Sequence, residues 1–260
     1  MTCLTLHSRF ARCQNYMAPD HSLHTLALPE LGAGPDRTVM RRLPDPPLPT
    51  LKMRDDQVEL PEPWRRERCP TTYAPHLPAL TPPTTHRLQQ LWQRLEPLFP
   101  VECLSLSRPI PRTGVHRRMA EQMAAGRAAL TRGDDTEATR CLRGLGIGLT
   151  PSGDDFLCGF LYALGLAPPA AQARRSSLLR HSLGDNVLVN HFLRLAAAGL
   201  YHEHFKAFVM AVCSGTEGAM EDTFKPLLQQ GATSGVDTVA GFFCGLEAYA
   251  RSEASARRAV

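Results

Sequence analysis

Gly144 to Leu164 reads GLGIGLTPSGDDFLCGFLYAL, and no other stretch limits the fold as tightly. Glycines at alternate positions, Gly144, Gly146 and Gly148, allow positive φ and a close approach of backbone to a ligand. The chain then turns through Thr150-Pro151-Ser152-Gly153 into the adjacent carboxylates Asp154 and Asp155. Phe156, Leu157, Phe160, Leu161 and Leu164 follow, spaced as a helix buried on most of its circumference. Small hydroxyl and Asp residues at a helix start present side-chain oxygens and free N–H groups. A helix N-terminus attracts anions, and a buried helix behind it would hold such a site rigidly. An ordinary N-cap on Ser152 or Asp154 is the plainer alternative.

The pattern returns near the C-terminus. Gly231-Ala232-Thr233-Ser234-Gly235-Val236-Asp237 aligns with Gly148 to Asp155 once Pro151 is skipped, and Gly241-Phe242 then aligns with Gly159-Phe160. Each copy is a Gly/Thr/Ser loop feeding a buried helix with a small residue where another backbone could pack. Two copies suggest two helix N-termini directed at one place, although two similar helix–helix joints would read the same way.

The remainder of the chain narrows the class. Its 260 residues suit one large domain or two smaller ones. A formal charge of +4, scattered and without interleaved aromatics, is too little for a nucleic-acid footprint. No apolar run reaches the ~18 residues of a membrane span, and the first residues lack the pattern of a signal peptide. Eight dispersed cysteines form no C-x-x-C pair, which predicts a reduced, cytoplasmic protein without a disulfide framework or structural zinc.

Residues 3–42 have strand character, interrupted by a turn at 15–20 and by the loop Pro29 to Asp36. That Gly-x-Gly-Pro loop reads as a turn or as a flap over a ligand, with Asp36 or Arg37 contributing. Residues 44–83 hold half of the 22 prolines. They exclude a continuous helix or a central strand and predict an extended wrap with short strands at 50–53 and 57–60. Helices are predicted over 84–99, 114–130, 135–142, 148–166, 170–183, 185–201, 202–213, 217–230 and 236–251, with a break at Pro168-Pro169 and a joint at 214–216. The fold class is α+β: a β-rich domain over 1–112, then a mainly helical domain over 113–260. His202-Glu203-His204 lacks the spacing of a helical metal site and reads as surface, and His116 carries no role. A phosphate-binding P-loop is excluded, since no G-x-x-x-x-G-K-[ST] occurs and no lysine lies near Gly148 to Asp155.

Gly148-Leu149-Thr150-Pro151-Ser152-Gly153-Asp154-Asp155-Phe156-Leu157-x-Gly159 resembles the signature of the AllH family. Ser8-x-Phe10, Asn15, Leu31-Gly32-x-Gly34-Pro35 and the second loop, Gly231 to Asp237, are similar to it too. The proline-rich segment at 44–83 departs from the family pattern. The resemblance implies a subunit of oxamate carbamoyltransferase that works with two other proteins in anaerobic allantoin (purine) catabolism. That complex splits oxalurate with phosphate into oxamate and carbamoyl phosphate, which a carbamate kinase uses to make ATP. A non-catalytic structural or regulatory subunit of a multiprotein metabolic complex is the alternative, with the proline-rich wrap docking a partner.

Carbamoyl transfer to phosphate needs a dianion site, a carboxylate site and donors for a developing oxyanion. Gly148, Thr150, Ser152, Gly153, Thr233, Ser234, Gly235, Asp237 and Asn190 are the candidate substrate- and anion-binding residues. Asp154, Asp155 and His191 are the catalytic candidates. The two aspartates read as a helix cap together with either an anchor for substrate N–H groups or a ligand to Mg2+, the one cofactor considered. His191 reads as an acid–base group or as an ordinary helix histidine. The expected partners are the other subunits and a small anionic substrate, with no nucleic acid and no membrane.

Overall fold

The structure is a computed structural model that describes residues 1–100, 103–105, 114–167, 171–214 and 217–258. The Pro168-Pro169 break and positions 215 and 216 of the 214–216 joint lie outside the described residues. The chain divides into two compact units, residues 1–76 with 200–207, and residues 77–199 with 208–260.

The first unit is built on a six-stranded sheet of order β4-β3-β2-β1-β5-β6. Its strands are β1 (Thr2–Arg9), β2 (Cys13–Met17), β3 (Leu23–Ala27), β4 (Arg37–Val39), β5 (Thr50–Arg54) and β6 (Gln57–Glu59). The β3–β4 pair is parallel and every other pairing is antiparallel. Alternating apolar residues turn Leu4, Leu26, Leu51 and Val58 onto one core, where Tyr16 and Met40 join them and Trp64 packs at the margin. Part of the proline-rich stretch therefore completes this sheet. Arg54 pairs with Gln57 across a two-residue turn, with Asp55 at φ 48 and Asp56 at φ 59. Positive φ at both turn residues matches the right-handed twist of the flanking strands.

Residues 200–207 belong to this unit and correct one reading of the sequence. His202 is buried, and its Nε2 lies 2.7 Å from Asp36 Oδ1. The Ala33 amide donates to Glu203 Oε2 at 2.7 Å, while the Glu203 amide donates to Ala33 O at 2.9 Å. The Gly-x-Gly-Pro loop is thus tied to the His-Glu-His segment. Local spacing hid this because the partners are separated by 166 residues or more.

The second unit is helical. The helices are α1 (Thr85–Leu95), α2 (Gly114–Arg132), α3 (Asp135–Leu142), α4 (Ser152–Leu166), α5 (Gln172–Ser182), α6 (Val187–Ala198), α7 (Glu203–Ser214, entering from the first unit), α8 (Glu217–Leu228) and α9 (Ser234–Arg258). Helix α1, which the sequence groups with the β-rich region, sits in this unit. Its N-terminus is capped by Thr84, whose hydroxyl accepts from the Arg87 amide. Every residue of α4 from Ser152 to Leu164 is buried, as expected of a helix apolar all round.

Helix α9 lies directly against α4, and glycines set the separation. A Cβ on Gly159 would stand 2.7 Å from Phe242 N and 2.8 Å from the Thr238 carbonyl carbon, and would strike Thr238 O. A Cβ on Gly241 would stand 2.7 Å from the Phe156 carbonyl carbon and would strike Phe156 O. The two backbones approach through matching gaps, each glycine facing the partner's carbonyl.

Candidate functional site

The α3–α4 and α8–α9 joints are two versions of one motif. In each, the second residue of the later helix packs on a carbonyl at the end of the earlier helix. A Cβ on Gly153 would strike Leu142 O, and one on Gly235 would strike Leu227 O. The Gly153 amide donates to Leu145 O at 2.8 Å and the Gly235 amide to Gln230 O at 3.2 Å. Gly148 (φ 103) and Gly231 (φ 62) occupy equivalent positions in the left-handed half of conformational space.

The two loops meet. Thr150 Oγ1 lies 2.9 Å from Ser234 Oγ, and Ser152 Oγ lies 3.4 Å from Thr233 Oγ1. Thr aligns with Thr and Ser with Ser, so the contacts cross between the copies as a two-fold arrangement requires. Beneath them lie the equivalent carboxylates Asp155 and Asp237, both buried. The Ser234 and Thr150 hydroxyls adjoin Asp155, and the Ser152 and Thr233 hydroxyls adjoin Asp237. Each carboxylate therefore faces one hydroxyl from its own loop and one from the other. Asp237 Oδ1 also accepts from Ser105 Oγ, and from Cys103 Sγ at 3.1 Å.

Burial raises the Asp155 carboxyl well above the carboxylate range, Asp237 and Asp154 raise it further, and the Ser234 and Thr150 hydroxyls pull it back. Burial likewise raises Asp237, and the Ser105, Cys103, Ser152 and Thr233 side chains around it pull it back. Oδ2 of each carboxylate is buried without a hydrogen-bond partner.

Asp154 has a different task. Both its oxygens accept from the Gly144 amide at 3.1 Å, which closes the glycine loop onto the helix start. Burial pushes its carboxyl up to about 6, against the Gly144 hydrogen bond and the nearby Arg143. Asn186 caps α6 by accepting from the Leu188 and Val189 amides and steadies the same loop by donating to Leu149 O at 2.9 Å. Asn190 is committed to Gly184, accepting from its amide and donating to its carbonyl. His191 is half-buried on α6 with its ring edge-on to Phe192. Among the described residues, no group of three or more His, Cys, Asp or Glu side chains is placed to hold a metal ion.

Above the carboxylates the first loop is open. Among the described residues, no hydrogen bond engages the amides of Gly146, Ile147, Gly148 or Leu149. Ile147 is 82% exposed and Leu149 43%. Ser105 and Cys103 escaped the sequence reading because nothing local marks them; Ser105 reaches Asp237 across 132 residues.

Fold and site together define a two-unit α+β protein whose helical unit carries a duplicated glycine-loop joint. Residues 142–246 match the family model of the oxamate carbamoyltransferase subunit AllH, a span that includes both loops and the helices behind them. The resemblance read from the signature is borne out over those residues. No curated protein and no solved structure gives a significant match. No described helix is long and apolar enough to cross a membrane.

Proposed function

We propose that this chain is a subunit of an oxamate carbamoyltransferase-type complex, and that its paired loops hold the reactants for phosphorolysis of oxalurate to oxamate and carbamoyl phosphate. One observation carries the reading: the crossed Thr150–Ser234 and Ser152–Thr233 contacts bring two helix N-termini to a single point within the family-matched residues.

In the reaction a phosphate oxygen attacks the ureido carbonyl carbon, a tetrahedral oxyanion forms, and the C–N bond to oxamate breaks as its nitrogen takes a proton. The open amides of Gly146 to Leu149 and the ends of α4 and α9 supply fixed donors for phosphate and for the oxyanion. Thr150, Ser152, Thr233 and Ser234 line the junction, and Asp154 holds the loop through Gly144. Such a site accelerates transfer by positioning and by electrostatics without a covalent intermediate.

The exposed Ile147 and Leu149 at the loop tip favour a second element: another subunit of the complex covers the loop and excludes water from it. Ser152→Ala and Asp154→Asn in the assembled complex test the reading. Turnover should fall on the order of a hundredfold in each while assembly is retained. Wild-type turnover in both variants would sink it and leave a structural role for the chain.

A further inference from the structure

The two central carboxylates present a charge problem that the residues around them do not solve. Asp155 and Asp237 would together carry two negative charges in a buried place. The N-termini of α4 and α9 are each equivalent to about half a positive charge, or about one in sum. Among the described residues, the titratable groups facing the pair are Asp154 and Cys158 on α4 and Cys103 on the 103–105 segment. The strongest influences on either carboxylate include, among the described residues, no cationic side chain. Among the described residues about one negative charge is left over, and two buried carboxylates at one site do not both ionise when a proton can neutralise them.

Hydrogen-bond counting leads the same way. Ser105 and Cys103 donate to Asp237, and the Ser234 and Thr150 hydroxyls adjoin Asp155, yet Oδ2 of each carboxylate is unpartnered. If both were ionised, the protons of Thr150, Ser234, Ser152 and Thr233 would all be drawn inward, leaving only lone pairs facing the opening. A surface of lone pairs repels phosphate.

We propose that Asp155 and Asp237 share one proton at neutral pH, and that this proton lets the Thr150–Ser234 hydroxyl pair turn outward and donate to an incoming oxyanion. The carboxylic acid donates to Ser234 Oγ, Ser234 donates to Thr150 Oγ1, and the Thr150 hydroxyl is released toward the loop opening. The Asp pair thus acts as a positioning device that sets the donor polarity of the site without touching substrate. The assignment rests on the anion-site reading for its purpose but not for its detection.

The direct test is infrared spectroscopy of the full-length protein at about pH 8, where Asp154 and ordinary carboxyls are ionised. One carboxylic-acid carbonyl band per chain is expected in the wild type, and it should disappear in Asp155→Asn and in Asp237→Asn. Absence of the band in the wild type, or its survival in both variants, overturns the proposal; the wild-type arm requires no variant to fold. Inorganic phosphate titrated by calorimetry supplies the second reading. Affinity should fall at least about tenfold from about pH 8 to a pH at which the infrared band has gone, as the shared proton is lost. Asp155→Asn, which keeps the shape of the protonated acid, should flatten that profile. A steep profile retained in Asp155→Asn contradicts the switch in polarity. If the band is present and phosphate binds at neither pH, the shared proton stands and the anion-site reading falls.

Discussion

Substituting Gly159 by alanine puts a methyl carbon where α4 and α9 have left no room. The new carbon would lie 2.7 Å from Phe242 N and 2.8 Å from the Thr238 carbonyl carbon, whereas non-bonded heavy atoms rest at about 3.5–4.0 Å. The obstacle is backbone in the middle of a helix, so no rotamer change relieves it, and the helices must part by roughly 1 Å. Overpacking of this kind costs about 1–3 kcal/mol, here at or above the upper end because the whole seam opens. Alanine returns about 1 kcal/mol of helix propensity. The expected net loss is about 2–3 kcal/mol, or a fall in Tm of roughly 5–10 °C for a unit of this size. Gly241→Ala meets Phe156 in the same way and should cost a similar amount. Because separation forced by one methyl already accommodates part of the other, the double variant should fall short of the sum by at least about 1 kcal/mol. Urea denaturation followed by circular dichroism measures all three, with Gly218→Ala in α8, which meets nothing within 4 Å, as the control that gains propensity without a clash. A loss below about 0.5 kcal/mol for Gly159→Ala, or strict additivity in the double variant, refutes this account of the seam.

Three further outcomes are expected. The Asp154 carboxyl sits at about 6 in the folded chain against an ordinary 3.8, so its favourable contribution is complete below 3.8 and is lost as pH rises through about 6. The stability difference between wild type and Asp154→Asn should therefore move by about 2–2.5 kcal/mol, in favour of the variant, between about pH 4 and about pH 7; a difference independent of pH contradicts it. Thr150→Ala and Ser234→Ala should each cost about 1 kcal/mol and, in a double-mutant cycle, show coupling of at least about 0.5 kcal/mol; independent effects would mean that the loops do not bond to each other. His202→Ala withdraws a donor from the buried Asp36 and should destabilise the first unit by about 1–3 kcal/mol, read by hydrogen exchange at Gly32 and Ala33; unchanged exchange there would show that the contact is dispensable.

The parts of this structure that were legible beforehand are those written in local periodicity. The β-rich start, the helix series and the two-copy Gly/Thr/Ser loop follow from spacing and from turn residues, and the loops do meet through Thr150 and Ser234. What could not be read was how neighbouring identical residues divide their tasks. Asp154 and Asp155 are adjacent in sequence, but successive helix positions point about 100° apart. One consequently clamps Gly144 while the other faces the second copy, although both are buried. Asn190 shows the same limit, since its amide is complementary to an anion on paper and is spent on Gly184 in the fold. Ser105, Cys103 and His202 depend on contacts more than 100 residues away, for which a single sequence carries no signal.

The burial of α4 has a consequence for how the chain is made. From Ser152 to Leu164 this helix has no water-facing side, yet the partner glycine that seats it, Gly241, is encoded more than 80 residues later. At ribosomal speeds of about 5–20 residues per second, α4 emerges on the order of ten seconds before α9 can cover it. Throughout that interval Phe156, Phe160 and Leu161 form an uncovered apolar rod. Chains cut short before α9 should therefore clump or engage chaperones rather than accumulate as a smaller soluble form, and production of the intact protein should improve when translation of the final segment is fast.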